Sequence, residues 1–480
     1  MISFLAYWWR RFSPKTMVCH FFAEIVRSLS PGICFVLGLG VVSATIVALL
    51  PVAPHDGLQI WVGDGNHAML YRALAPEWNR RHPDLPLRVS LIVGPALQSR
   101  MLSGFYSGTP VADLIEVERG QIGQVFAGPL EDIGFADLSD RLAQEGLLAK
   151  INTSSFSPWT SRGHIFGLPH DVHPVMLIYR ADLVETAGID VGQIETWADY
   201  FRLMRPLLKD LDGDGYIDRY PLTVSLTNPF FSEIFLLQGG GGYFDPAGHP
   251  TLNSATNVRI LAQLGGWYAG PDRMIGDVNM YTGSGLRQLG EGYAIALPGA
   301  DWYLGSLSVS LPKMAGKFKI MPLPAWAKGG RRTSVNGGTM LGITKASKHP
   351  EAAWELAKYL YFSPVMARRL FELTHIVSPM KTNWSQTYYD QPDPYYSGQP
   401  VGRMCLQQAP DVPTRPASPY FSSAIQLVNS ALNQLMQVAD RSATSDPAKL
   451  EPDARRLLDQ AQRDLVAQMN RNVFLAGAKP

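Results

Sequence analysis

The chain has little cysteine and almost no net charge. Its 480 residues include three cysteines, Cys19, Cys34 and Cys405, and the formal net charge is +1. Because Cys405 is isolated in the body, we predict no internal disulfide there, and stability has to come from a hydrophobic core. Balanced charge gives no electrostatic reason to expect a nucleic acid, which needs clustered basic surface.

The sequence also lacks the short motifs of common enzymes. It contains no H-E-x-x-H, no G-x-S-x-G, no Walker A loop and no C-x-x-C pair. Carboxylates that are distant in sequence can still meet in a cleft, and Glu116, Glu118 and Asp171 are the candidates. We predict that the protein is not an enzyme, with a cleft hydrolase as the disfavoured alternative.

A long apolar run stands near the N-terminus. Residues Ile33 to Leu50 are uncharged and about long enough to span a bilayer. The basic residues before the run predict a cytoplasmic leader over residues 1–32, a membrane segment over 33–52 and a body outside the cytoplasm. We favour a retained anchor at the cell membrane over a cleaved signal peptide.

Strand and helix patterns alternate after this segment. Hydrophobic residues make up 46% of the chain, enough for a large core in two or three domains. Period-2 and helical patterns follow one another over residues 58–62, 67–82, 87–93, 97–105 and 113–117. This βαβ alternation predicts a doubly wound α/β lobe that binds ligands at the carboxyl ends of its strands.

A second run of elements begins at Val175. Residues Val175 to Tyr179 form a short apolar run typical of a buried strand, and the helix that follows predicts a parallel sheet. Asp182 is expected to cap that helix and Gly188 to end it. Thr196 is expected to begin the next helix.

The segment DLDGDGYID has the spacing of a calcium loop. Asp210, Asp212, Asp214 and Asp218 stand at positions 1, 3, 5 and 9, with glycine at position 6. Position 12, which should carry a bidentate acid, is Pro221. A solvated acidic turn is therefore the favoured interpretation, and a structural calcium ion is the alternative.

Four blocks of the sequence resemble the extracellular solute-binding proteins of ABC importers, in the sugar-type family 1. They are FGLPHDVHPVMLIYRADLVETAGID from residue 166, GGGGYFDPAGHPTLNS from 239, GEGYAIALPGADWYLGSL from 290 and SVNGGTMLGITKASKHPEAAWELAKYL from 334. The resemblance implies a type II periplasmic binding protein fold, with two doubly wound lobes joined by a hinge. It implies a first lobe of residues 57–170 plus 315–362 and a second of 171–314 plus 363–472.

The resemblance also implies a ligand cleft between the lobes. Trp61 and Trp302 are the candidate platforms for a sugar ring, because stacking needs aromatic faces. Carboxylates accept hydrogen bonds from hydroxyl groups. The remaining candidates are Asp64, Glu118, His170, Asp171, His173, Tyr303, Asn336, Gly337 and Gly338. Packing is the alternative role for the two tryptophans, and a simple turn is the alternative for Asn336 to Gly338.

His170 and His173 are where this sequence departs from the family pattern. They are candidates for hydrogen bonding in the cleft, with an ordinary surface position as the alternative. A zinc site is disfavoured because a strand would point them to opposite faces. The resemblance implies the solute-binding component of an ABC importer, which captures a sugar or oligosaccharide and delivers it to the permease transmembrane subunits. It requires no cofactor. A membrane-tethered ligand-sensing module for another small polar solute is the alternative.

Overall fold

The computed structural model describes residues 30–49, 57–226 and 228–472. The chain divides into two compact units, Met1–Asp56 and Gly57–Pro480. In the first unit, helix α1 runs from Pro31 to Leu49. Over the described ranges, no helix is both long enough and apolar enough to cross a membrane. The predicted transmembrane helix over 33–52 is thus not supported, and residues 1–29 and 50–52 of the predicted leader and segment lie outside the described residues.

The second unit alternates strands and helices. The strands are β1 (Leu58–Val62), β2 (Leu87–Leu91), β3 (Leu114–Glu118), β4 (Thr160–Ser161), β5 (His164–Ile165), β6 (Leu168–Pro169), β7 (Val175–Arg180), β8 (Tyr220–Thr223), β9 (Ile275–Gly276), β10 (Ala294–Ala300), β11 (Phe318–Pro322) and β12 (Thr339–Ile343). The helices are α2 (Gly65–Arg81), α3 (Gly94–Ser107), α4 (Arg119–Ile122), α5 (Ser139–Gln144), α6 (Thr153–Phe156), α7 (Ala181–Thr186), α8 (Trp197–Met204), α9 (Phe230–Gln238), α10 (Ala255–Tyr268), α11 (Gly283–Glu291), α12 (Asp301–Ser310), α13 (Pro350–Phe362), α14 (Pro364–Thr374), α15 (Val401–Gln408), α16 (Phe421–Arg441) and α17 (Pro447–Met469).

The first sheet has the strand order β2-β1-β3-β12-β6. Strands β1, β2 and β3 are parallel, as the βαβ pattern predicts, whereas β12 is antiparallel to β3 and β6. One face packs against α2 and α13, and the other against α3. Each face therefore has its own hydrophobic core, as in a doubly wound lobe.

The second sheet has the order β11-β7-β10-β8-β9. Val175 and Leu177 of β7 point into one core, and Met176 and Ile178 into the other, because side chains alternate along a strand. The parallel prediction for β7 is wrong, since β7 is antiparallel to both β10 and β11. A strand that is buried on both faces has the same apolar run in either direction, so its sequence does not encode that direction.

Two segments connect the sheets. Residues 170–174 lead from β6 to β7, and residues 323–338 lead from β11 to β12. The segments run side by side, with a bridge between Pro174 and Val335. The chain thus changes sheets after Pro169. Strand β11 pairs with β7, whereas Met366, Leu370, Ile376 and Met380 pack in a core of the first sheet. The lobe boundaries stay a prediction.

Capping residues predict two of the three helix ends considered in the sequence analysis. Thr196 caps α8 in a capping box with Asp199, and Gly188 follows α7 with a φ of 68°, both as predicted. The prediction for Asp182 is wrong, because α7 already begins at Ala181 and the Asp182 carboxylate pairs with Arg180 instead.

Candidate functional site

Strand ends from both sheets meet at one edge, which we call the cleft edge. Glu118 at the end of β3 pairs with Thr339 at the start of β12. In the second sheet, Val175 at the start of β7 pairs with Ala300 at the end of β10. The connecting residues 170–174 start and finish at this edge. Polar side chains in this segment are therefore placed between the lobes.

His173 lies at the centre of a buried charge cluster. Its Nε2 is 3.0 Å from Asp171 Oδ2, and its Nδ1 is 2.6 Å from Asp301 Oδ1. Its φ of 54° is in the left-handed region, which non-glycine residues rarely adopt. The backbone N–H groups of Thr339 and Val377 donate to Asp171 and Asp301, respectively. The cluster thus ties the connecting segment to both lobes.

Electrostatics favour the charged forms in this cluster. Burial opposes a charge on His173, but Asp171 and then Asp301 outweigh it and raise its pKa to about 9. Burial likewise opposes the Asp171 carboxylate, and the attraction of His173 outweighs it and lowers the pKa of Asp171 well below its usual range. An imidazolium between two carboxylates follows.

A second buried network adjoins the first. Glu116 accepts hydrogen bonds from Tyr71 and Tyr361 and pairs with His67 Nδ1 at 2.8 Å. The His170 ring lies 4.1 Å from the His67 ring, centroid to centroid. Its buried Nδ1 has no hydrogen-bond partner among the described residues, and the Asp171 carboxylate lies 3.6 Å from it. Burial and then His67 lower the pKa of His170. The surroundings of His170, which lies between two charged networks, thus favour the neutral form of its ring.

His67, Glu116 and His170 could together ligate a metal ion, since their ligand atoms lie within 4.8 Å of one another. Both Glu116 oxygens already have hydrogen-bond partners, His67 on one and Tyr71 and Tyr361 on the other. The arrangement fits a satisfied polar network, and we propose no metal here.

The first lobe places three predicted residues at the cleft edge. Trp61 is half-buried near the end of β1. Asp64 is exposed and caps α2, accepting from the backbone N–H groups of Asn66 and His67. Glu118 is exposed at the end of β3; desolvation by its surroundings, with Asp64 and Glu116, raises its pKa. The Glu118 carboxylate is therefore the freer acceptor of the two acids.

The second lobe contributes a row of aromatic rings. Trp302 is half-buried and stacks on Tyr281 with centroids 5.9 Å apart and planes 15° apart. Tyr281 in turn stacks on Phe231 at 5.8 Å and 17°. Tyr303 packs in the core, and its hydroxyl donates to the Met280 carbonyl, which favours a packing role.

Gly337 and Gly338 are in close contact with protein side chains. A Cβ on Gly337 would lie 2.9 Å from Trp302 Nε1, and one on Gly338 would lie 2.9 Å from Arg415 Nη2. Trp302 Nε1 also donates to the Asn336 carbonyl, and Arg415 Nη1 donates to the Gly337 carbonyl. The close backbone approach that the sequence predicts thus accommodates Trp302 and Arg415.

Comparisons with known proteins agree with this geometry. The family model described as "Bacterial extracellular solute-binding protein" matches residues 65–367. The chain belongs to that family. The predictions of a binding protein that is not an enzyme, with its body outside the cytoplasm, are therefore confirmed.

Individual relatives of this solute-binding protein carry sugar-related names. The "Arabinooligosaccharide-binding protein" of Bacillus subtilis (strain 168) is 28% identical over 315 residues, 63% of this chain and 68% of the relative. The protein of the same name from Halalkalibacterium halodurans is 23% identical over 349 residues, 71% of this chain and 75% of the relative. The solved structure of the sugar-binding protein MalE from Xanthomonas citri aligns with a TM-score of 0.69 and 17% identity, covering 86% of this chain and 99% of that one. This likeness confirms the type II periplasmic binding protein fold.

Sequence reasoning about this solute-binding protein missed an ion pair between the lobes. Arg119 follows β3 of the first sheet, and Glu233 lies in α9 of the second lobe. Nη1 of Arg119 is 2.7 Å from Oε2 of Glu233, and Nη2 is 2.8 Å from Oε1. The pairing spans 114 positions, so no local pattern could reveal it.

The acidic loop of the solute-binding protein is exposed. Ligand atoms of Asp210, Asp212 and Asp218 lie within 4.8 Å of one another, whereas Asp214 is not part of that group. Backbone N–H groups of Gly215 and Gly213 lower the pKa of Asp210. Calcium binding stays a prediction.

Proposed function

We propose that this protein captures an oligosaccharide between its two lobes and delivers it to the transmembrane subunits of an ABC permease. The observation that carries the proposal is the composition of the cleft edge. The first lobe contributes exposed carboxylates, and the second contributes the exposed ring of Tyr281 and the half-buried ring of Trp302, which stack on each other. Stacking on the apolar face of a sugar and hydrogen bonding to its hydroxyls require this combination.

The relatives support a sugar that is longer than one unit. Both arabinooligosaccharide-binding relatives cover most of the chain, and both carry "oligosaccharide" in their names. We therefore propose an oligosaccharide that stacks on the exposed Tyr281 and the half-buried Trp302, with Phe231 packed in the core beneath Tyr281.

Closure of the lobes is the proposed mechanism. A ligand that contacts both lobes favours the closed arrangement, and the permease distinguishes closed from open. No bond of the solute is broken. The segments 170–174 and 323–338 are the proposed hinge, since they connect the two sheets. The proposal concerns residues 57–472 and includes no membrane anchor.

A ligand panel tests the function. The purified protein is titrated with arabinotriose, maltotriose and β-1,6-galactobiose in a calorimeter, and thermal unfolding is followed in parallel. A ligand present at 100 times its Kd stabilises the folded state by about 2.7 kcal/mol. Saturable binding of at least one oligosaccharide is expected. The proposal would be contradicted if no oligosaccharide of the panel gave a heat of binding or a thermal stabilisation.

A further inference from the structure

The buried ion pair of Arg119 and Glu233 lies where the two lobes touch. Arg119 is 9% exposed and Glu233 is 2% exposed, and the two side chains form parallel, bidentate hydrogen bonds. The Arg119 guanidinium also lies 3.9 Å from the centre of the Phe421 ring, at the start of α16. One residue of the first lobe therefore holds two elements of the second.

We infer that Arg119 and Glu233 form a latch that stabilises the closed arrangement of the lobes and thereby sets the affinity for ligand. The inference deepens the proposed function, because it assumes that closure accompanies capture. The ion pair involves no ligand atom. We therefore expect the latch to favour the closed arrangement in the absence of ligand as well.

The surroundings of the latch require close contact between the lobes. A Cβ on Gly123 would lie 2.8 Å from the Ser418 carbonyl oxygen, in the segment that leads into α16. The Arg119 backbone N–H donates to the Gly338 carbonyl at 3.0 Å, next to the pairing of β3 with β12, so the first sheet holds Arg119 in place. Opening the lobes would separate Gly123 from Ser418 and return both charges of the ion pair to water, whereas closure buries them together.

A second guanidinium makes the latch asymmetric. Arg415 is 6% exposed, and among the described residues no carboxylate lies within ion-pair distance of it. Burial and then the nearby Arg119 charge lower the pKa of Arg415 to about 9, while Glu233 and then Asp171 oppose that shift. The Glu233 carboxylate thus acts on two buried cations, Arg119 and Arg415. Loss of Glu233 should harm closure more than loss of Arg119.

Four variants test the latch: Glu233→Gln, Arg119→Met, the double variant Arg119→Met/Glu233→Leu, and the control Arg205→Met. Arg205 pairs with Asp272 at 2.7 Å on the exposed surface of the second lobe, so it matches the latch in chemistry but not in position. Circular dichroism confirms that each variant is folded. Small-angle X-ray scattering without ligand then measures compactness, and calorimetry measures affinity for arabinotriose.

Glu233→Gln should be less compact than the wild type and bind arabinotriose about 30-fold more weakly or worse, because a buried charge loses its partner. Arg119→Met should show a smaller effect in the same direction. The double variant should recover part of the compactness that Glu233→Gln loses, since no unpaired member of the pair remains, although Arg415 still lacks the Glu233 charge. Arg205→Met should match the wild type.

Ligand-free Glu233→Gln as compact as the wild type would overturn the latch, and so would equal effects of Glu233→Gln and Arg205→Met. The scattering comparison needs no ligand. If arabinotriose and the other oligosaccharides of the panel fail to bind the wild type, the proposed function fails, while the scattering result still decides whether the latch closes the lobes.

Discussion

His173 Nε2 lies 3.0 Å from Asp171 Oδ2, within the segment that joins the two sheets. The same imidazole contacts Asp301 of the second lobe through Nδ1. The Asp171 carboxylate also accepts from the Thr339 N–H of the first sheet. The protonated His173 ring therefore forms ion pairs with both the connecting segment and the second lobe. We expect its loss of a proton to lower the free energy of unfolding.

Stability should fall as pH rises through the pKa of His173. The folded-state pKa is raised from 6.5 to about 9, so the contribution of the imidazolium is fully present below pH 6.5 and is lost as pH rises through about 9. The full shift corresponds to about 3 kcal/mol of unfolding free energy. Urea denaturation between pH 6 and 9.5 measures it.

His173→Gln is the matched variant for this pH dependence. It should be less stable than the wild type at pH 6.5, and the difference should shrink towards pH 9.5. His249→Gln is the control, because His249 is an exposed histidine that pairs with Asp245 on the surface. Wild-type and His173→Gln curves that stay parallel over this range would show that His173 is not the titrating group.

Gly337→Ala should destabilise the protein more than Gly316→Ala. Both glycines have a left-handed φ, 88° and 76°, which costs an alanine about 1–2 kcal/mol. At Gly337 the new Cβ would also lie 2.9 Å from Trp302 Nε1, whereas at Gly316 no described residue other than its chain neighbours comes within 4 Å of it. Equal losses of unfolding free energy in urea would contradict the close contact.

The sequence predicts individual helices and strands of this fold better than it predicts which strands pair and in which direction. Hydrophobic periodicity predicts α2 and β1 because that pattern is local, and the capping box at Thr196 is likewise contained in four residues. The direction of β7 is different, since its residues are all buried and the run is equally compatible with parallel and antiparallel neighbours. Its pairing depends on strands more than 100 positions away.

The same limit applies to the site. The resemblance places His170 to His173 in the cleft. The contact of His173 with Asp301 spans 128 positions, so no local pattern predicts it. The left-handed backbone of His173 is also not predicted, because such a conformation is usually indicated by glycine. Helix α15 lies within residues 384–420, which are rich in proline, tyrosine and glutamine, so composition alone does not reveal it. Glu116 alternates like the polar face of a strand, yet tertiary partners bury it.

The acidic loop should bind calcium weakly if the predicted spacing is functional. Without an acid at position 12, we expect a Kd on the order of 10⁻⁴ to 10⁻³ M. Asp210→Asn should abolish any rise in Tm caused by millimolar Ca²⁺. Asp214→Asn should retain most of it, because Asp214 lies outside the group of Asp210, Asp212 and Asp218. An equal Tm in Ca²⁺ and in chelator would support the interpretation of the loop as a solvated turn that binds no calcium.

Trp302→Ala should weaken oligosaccharide binding, because the ring ends the stacked row with Tyr281 at the hinge. Loss of one stacking contact is worth about 1 kcal/mol or more, which is roughly fivefold in Kd. Trp302 also packs against hydrophobic clusters of both lobes, so Ala lowers stability as well. Trp302→Phe separates the two effects, since it keeps an aromatic face but loses the indole N–H that donates to Asn336. Calorimetry should therefore find Phe closer to the wild type than Ala. Unchanged affinity in a less stable Trp302→Ala variant would assign the ring to packing alone.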